Sequence, residues 1–249
     1  DVITLTVDLG GGQFSPELES RAKQAGASEC ITLDIKEEFA NDFIMPSLLA
    51  GAIYEDKYLL ATSIGRPLMA KKLVEVAGKY NAVAVAHGCT GKGNDQVRFD
   101  LSIKTLSVNS PLEIIAPARE ASFTRDEEKE YAEKLGIKLP GIGERVYSID
   151  RNLWGLAIEG EDIEDPWIEP PEDAYLISSS VENSPNEPKY MEISFENGCP
   201  IKINGKSTPI VSIIEQLNEI AGIHGVGRVV HVENRLVGIK SREVYEAPG

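Results

Sequence analysis

The chain is short of cysteine, histidine and positive charge, and each shortage removes a class of function. Its three cysteines, Cys30, Cys89 and Cys199, are odd in number and far apart, with no C-x-x-C pair. That argues against a disulfide framework or a cysteine zinc site and fits a reducing cytoplasm. The three histidines, His87, His224 and His231, include no pair at metal-ligand spacing, and each reads as structural. Lysine plus arginine is 25 against 40 aspartates and glutamates, a formal charge of −15. A nucleic-acid backbone is therefore not an expected partner, because phosphate recognition needs a basic face. A small anion is still admissible, since a local nest of amides can hold one in an acidic protein. No run approaches the roughly 18 apolar residues of a membrane helix, so no membrane partner is expected.

The hydrophobic fraction of 42% over 249 residues can supply one large core or two small ones. Residues 2–9 and 30–35 are rich in β-branched side chains and read as strands, as do 82–86, which look buried, and 112–116. Helices are expected over 16–27, over 37–52, from Pro67 at its tolerated first position, and from about Asn94. In the last of these, Val97 and Leu101 are expected to face inward. Thr124-Arg-Asp-Glu127 is a capping box opening a helix to about Leu135. Alternating strands and helices imply an α/β fold, a mostly parallel, doubly wound sheet. After about Lys138, prolines break up the pattern and an α+β region follows. It should contain a hairpin around Asn197-Gly198, an amphipathic helix over 209–221 and a last strand over 228–232. The expected division is residues 1–137 and 138–249. Trp154 and Trp167 are expected in the core or at a domain interface, and Glu161, Asp162, Glu164 and Asp165 in a solvated loop.

The densest chemistry lies in HGCTGKGNDQVR, residues 87–98, directly after an apolar run. Glycines let backbone approach a ligand, and a loop at the carboxyl end of a strand is where open α/β sheets bind theirs. The block is not a Walker A loop, because Gly93 stands where Ser or Thr is required. Asn94, Asp95 and Arg98 can share a helical face. Arg98 can grip a carboxylate with its planar fork, and Asp95 can meet an ammonium. A zwitterionic ligand suits that pairing. Thr62, Ser63 and Arg66 stand just before a helix, where simple capping explains them equally well.

Read together, several segments closely resemble the argininosuccinate synthases. They are YLLATSIGRP (58–67), HGCTGKGNDQVRF (87–99), YSIDRNLWG (147–155), LNEIAG (217–222), HGVGR (224–228) and VENRLVGIKSR (232–242). The resemblance implies a nucleotide-binding domain of the ATP-pyrophosphatase type followed by a synthetase domain, usually in a homotetramer. It implies ATP, with magnesium, driving condensation of citrulline with aspartate through a citrullyl-adenylate. Positioning of three ligands should dominate such a reaction. By resemblance, Thr90, Asn94 and Asp95 hold aspartate, with Asn94 shared by citrulline. Arg98 clamps the citrulline carboxylate, so Asp95 and Arg98 are the expected catalytic positioning pair. Tyr58, Ser63, Ser148, Glu159, Glu233 and Tyr245 line the rest of the citrulline pocket. Gly88 and Asp150 lie near the nucleotide, and the backbone of Val7 near the adenine.

Two departures stand out. Ala157 occupies a position where many relatives carry a hydroxyl, a hydrogen bond worth roughly 0.5–1.5 kcal/mol. The Ser-Gly-Gly-x-Asp-Thr-Ser phosphate loop of the family is absent, and Gly10-Gly-Gly12 lacks the hydroxyls to replace it. The 249 residues are thus expected to be part of a longer polypeptide and inactive by themselves. Two other readings compete with the ligase: a non-catalytic amino-acid-binding remnant, and another ATP-pyrophosphatase relative, such as a tRNA-thiolating enzyme or an amidotransferase. The acidic charge counts against a tRNA-acting relative.

Overall fold

A computed structural model describes residues 1–12, 17–121, 125–137, 147–238 and 240–249. Strand β1 (Ile3–Asp8) leads through α1 (Leu18–Gln24) to β2 (Glu29–Asp34), and the strands pair in parallel from Ile3↔Glu29 to Asp8↔Asp34. Next come α2 (Lys36–Phe39), a π-helical stretch (Ala40–Ile44) and α3 (Met45–Leu49). The widened turn stands just before Pro46, which has no N–H to return to the carbonyl of Asp42. The expected single helix over 37–52 is therefore continuous but not uniformly α.

Helix α4 (Gly65–Lys79) begins two residues before Pro67, which sits inside the first turn, where its missing N–H is equally harmless. Strand β3 (Ala84–Ala86), helix α5 (Asp95–Leu106) and β4 (Glu113–Ile115) form a second parallel unit, with Val85 opposite Ile114. Among the described residues β3 pairs only with β4, and β1 only with β2, so the expected sheet is present as two parallel pairs. This corrects the buried strand expected over 82–86: Val85 is buried, but Val83 is 83% exposed. The face expected for α5 is also wrong. Phe99 and Ile103 point inward, against Ala70 and Ala77 of α4, while Leu101 is 64% exposed. Val97–Leu101 and Phe99–Ile103 are interleaved four-residue pairs, and packing on α4, not periodicity, chooses between them. Helices α6 (Pro117–Ala121) and α7 (Arg125–Lys134) follow. Thr124 of the expected capping box, Pro16 at the expected start of the first helix, and the expected boundary near Lys138 lie outside the described residues.

The second half is built on an antiparallel sheet in the order β10-β11-β6-β5: Arg228–Asn234, Lys240–Glu246, Gly155–Glu159 and Ser148–Asn152. Residues 228–232 are thus not the last strand. β11 contains Arg242, Glu243 and Glu246, and charges of this kind disguise a strand buried within a protein. The hairpin β7 (Ile193–Glu196)–β8 (Cys199–Ile203) turns at Asn197 and Gly198, both with positive φ, as a tight hairpin turn demands. β9 (Lys206–Ser207) and α8 (Ile210–Ile223) complete it, the helix opening after Pro209.

One apolar cluster joins the two halves. Leu9, Phe39 and Leu68 from the first meet Leu153, Trp154, Val211 and Tyr245 from the second. Backbone comes close enough there that a Cβ on Gly11 would stand 2.3 Å from the Arg151 carbonyl oxygen, while the Leu153 N–H donates to the Leu9 carbonyl at 2.7 Å. Gly10 and Gly11 therefore serve close packing. Trp154 is buried as expected, whereas Trp167 is 94% exposed; Glu161, Asp162, Glu164 and Asp165 are solvated as expected, but the first three lie in a 3-10 turn (Glu161–Glu164) and not in a loop.

Beneath the sheet the fully buried Glu246 accepts the backbone N–H groups of Leu176, Ile177 and Ser178. A carboxylate holding three amides is a strong tie, because losing it strands buried donors. Glu246→Ala should destabilise the protein by about 3 kcal/mol in urea unfolding; a loss within about 0.5 kcal/mol, ordinary for a surface change, would show that the tie is dispensable.

Candidate functional site

Side chains along a strand alternate between faces, and the registers of the four-stranded sheet extend that rule across it. Tyr245 stands opposite Ala157, Ala157 opposite Asp150, and Glu159 opposite Ser148. Leu156, Ile158 and Val244, the intervening residues, are fully buried in a separate apolar cluster. The upper face is thus polar by register, and it floors a cavity of about 570 Å³. The first half supplies the walls. Ser63 and Arg66 come from the start of α4, and Asn94, Asp95 and Arg98 from the start of α5. The 87–93 loop and Val7 of β1 close the remaining sides. Both helices present N-terminal ends, which carry partial positive charge.

Of the expected site residues, Val7, Ser63, Gly88, Thr90, Asn94, Asp95, Arg98, Ser148, Asp150, Glu159 and Glu233 line this one cavity. Tyr58 and Tyr245 do not. They are buried behind its wall, their rings stacked with centroids 4.0 Å apart. Their hydroxyls still reach residues that line it, Tyr58 bonding Thr62 at 2.9 Å and Tyr245 bonding Glu233 at 3.0 Å.

Arg66 links the helices to the floor. Its Nε donates to Asp95 Oδ2 at 2.8 Å, and its Nη2 makes a short bond to Asp150. Burial disfavours its charge, but Asp150 and Asp95 outweigh that and raise its pKa above the ordinary arginine value. Burial also raises the Asp150 carboxyl, against the pull of Arg66. Arg98 donates to Asp95 Oδ1 at 2.7 Å and stands 3.9 Å from Glu233. Asn94 reaches from α5 to the sheet, donating to Glu233 Oε1 at 3.2 Å and accepting the Leu236 N–H at 2.8 Å. Arg235 bridges Glu159 and Glu243 at 2.9 and 3.1 Å. His87 accepts the Cys89 N–H at 3.3 Å and pairs through Nε2 with Asp100 at 2.9 Å, which anchors the base of the glycine-rich loop.

Sequence reasoning undervalued Arg66 and passed over Arg235 and Glu243. The available signals were helical spacing from Ser63 to Arg66 and the alternation that puts Glu243 two residues before Tyr245. In all, five carboxylates and three guanidiniums line the cavity. That excess suits ligands carrying an ammonium beside a carboxylate. Burial and Asp95 push the Cys89 thiol up to about 11, so it is not a nucleophile at neutral pH. The described residues contain no group of three metal-binding side chains and no helix long and apolar enough to cross a membrane.

Comparison with known proteins agrees with this geometry. Residues 1–138 match the family model described as the arginosuccinate synthase N-terminal HUP domain, and residues 147–249 match that of the C-terminal domain. The chain belongs to the argininosuccinate synthase family. It is 53% identical over 249 residues to an argininosuccinate synthase of Halalkalibacterium halodurans, and 54% over 249 residues to one of Geobacillus thermodenitrificans. To an argininosuccinate synthase of Dictyoglomus turgidum it is 55% identical over 248 residues. Each match covers all of this chain and 60–61% of the relative. The chain therefore spans about three fifths of the length of the argininosuccinate synthases it matches. The cavity lies where the regions matched by the two models meet, each supplying part of its lining.

Burial, with the Glu233 carboxylate beside it, pushes the Glu243 carboxyl from 4.5 up to about 7. Between those values the folded chain keeps a proton that the unfolded chain has released, so this group's contribution to stability falls as pH rises from 4.5 to 7. Melting temperatures measured across that window should show a shallower decline in Glu243→Gln than in the parent, and equal slopes would contradict the assignment.

Proposed function

We propose that the protein condenses citrulline with aspartate, using ATP and releasing AMP and pyrophosphate, in arginine biosynthesis. The observation that carries this reading is the mixed lining of the cavity, with arginines and carboxylates interleaved where both halves of a family member meet. Ligand pockets are typically about 300–1,000 Å³, and this cavity falls within that range.

In this reading Arg98 receives the citrulline carboxylate. Ser63, Ser148, Glu159 and Glu233 surround the rest of that ligand, with Tyr58 and Tyr245 supporting from behind. Thr90, Asn94 and Asp95 hold aspartate. Gly88, Asp150 and the backbone of Val7 face the nucleotide, whose magnesium would be held largely by phosphates and water. The ureido oxygen attacks the α-phosphorus and pyrophosphate leaves; the aspartate amine then attacks the ureido carbon and AMP leaves. The ion pairs of Arg66, Arg98 and Arg235 hold the cavity's charged groups in fixed geometry, so that little reorganisation accompanies reaction.

In this reading residues 1–137 form the nucleotide-binding domain and 138–249 the synthetase domain. The β1–β2 and β3–β4 pairs belong to one doubly wound sheet, a reading supported by α4 packing against both β1 and β3. A cytoplasmic homotetramer completes it. Three free cysteines fit that compartment, and the exposed Trp167, Val181 and Tyr190 fit surfaces covered by other subunits.

Pyrophosphate release from ATP by the complete protein should require citrulline. Binding of citrulline without any release would instead favour an amino-acid-binding remnant. Arg98→Ala should weaken citrulline by about 10- to 100-fold, the effect of a lost charged hydrogen bond. Ala157→Ser should tighten it by about 2- to 10-fold, because Ala157 faces the cavity beside Asp150. Unchanged citrulline KM in both variants would place the amino acid elsewhere.

A further inference from the structure

The Tyr245 hydroxyl stands 3.0 Å from Glu233 Oε2 and 2.8 Å from Glu243 Oε2. A phenol has one hydrogen and can donate to only one of them. The second contact becomes a full two-centre hydrogen bond when the other carboxyl is protonated and donates to the phenol oxygen. Burial and both carboxylates raise the Tyr245 pKa far above the ordinary phenol value, so its proton stays on the ring oxygen. A proton added to this trio would therefore sit on a glutamate.

We propose that Glu233, Tyr245 and Glu243 hold one proton in common, resting on Glu243, and that a ligand ammonium arriving at Glu233 releases it to solvent. The second clause rests on the function proposed above; the first does not. Glu233 is the better partnered of the two, because Asn94 donates to its Oε1 and Arg98 approaches the same oxygen. Besides Tyr245, Glu243 meets Arg235, a guanidinium that it shares with Glu159. Direct competition between two carboxylates across one hydroxyl makes them titrate as a unit. The remaining groups facing the cluster are Tyr58, stacked on Tyr245; Asp95, paired with Arg98; and His231, opposite Glu243 in register with Nε2 3.2 Å from Glu55. An added positive charge beside Glu233 favours the doubly ionised pair, so the proton leaves on binding.

The test combines carboxyl carbon NMR titration of the glutamate-labelled complete protein with calorimetry of citrulline binding in two buffers of different ionisation enthalpy. One glutamate should titrate near neutrality; its signal should vanish in Glu243→Gln and shift in Tyr245→Phe, which keeps the ring stack. If every glutamate titrates in the ordinary acid range, the shared proton is refuted. Citrulline should release a fraction of a proton near neutral pH from the parent and much less from Glu243→Gln. Binding heat independent of buffer would overturn the coupling alone. Absence of any citrulline heat would overturn both the coupling and the function proposed above, while the titration would still decide the shared proton.

Discussion

Leu156, Ile158 and Val244 point down from the four-stranded sheet into a closed apolar cluster, and strand geometry then forces Ala157, Glu159, Glu243 and Tyr245 to point up. The floor of the cavity is therefore a by-product of core formation. Burying a Leu or Ile side chain is worth about 1.5–3 kcal/mol, and slipping the register by one residue would exchange the faces and bury the carboxylates instead. The site inherits its precision from the least polar residues near it.

The opposite wall obeys a different constraint. Helices α4 and α5 pack against each other through Leu73, Ala77, Phe99 and Ile103, and this brings their N-termini together over the sheet. Arg66 then crosses from α4 to Asp95 of α5 and to Asp150 of the sheet, and Asn94 crosses to Glu233 of the sheet, while Arg98 pairs with Asp95 within α5. These pairs are largely withdrawn from water, so the cost of desolvating the charges offsets much of their attraction. Their value is geometric, since Arg66–Asp150 and Arg98–Glu233 each hold a charged group of the first half against one of the second. The result is a crowded set of charges with carboxylates in excess. Burying those carboxylates without enough partners raises the pKa of Asp150 and Glu243. A ligand ammonium would relieve the same imbalance.

Motifs proved more legible than faces. The 87–99 block stood out by its glycines and mixed charges and lines the cavity, and the turn at Asn197-Gly198 was legible from the backbone it requires. The inward face of α5 could not be read, because Val97–Leu101 and Phe99–Ile103 obey the same periodicity. Strand β11 was missed because Arg242, Glu243 and Glu246 look like a solvated segment; they are buried because Ile163, Ser178 and Arg235 receive them. Trp167 was misplaced because hydrophobicity alone does not say whether a neighbour covers it.

Local chemistry is what the sequence by itself determined: strand and helix alternation, the turn at Asn197-Gly198, the acidic balance, and the residue types able to bind a zwitterion. These depend on propensity and side-chain chemistry within a few residues. The tertiary structure alone decided which side chains meet. Arg66 and Asp150 are 84 residues apart, and Asn94 and Glu233 are 139 apart. Only the packing of α4 on α5, and of both halves around Leu9, Leu153 and Tyr245, brings those partners within hydrogen-bond reach. Shared protons and shifted carboxyls come from that proximity and from lost water, neither of which is a property of any segment alone.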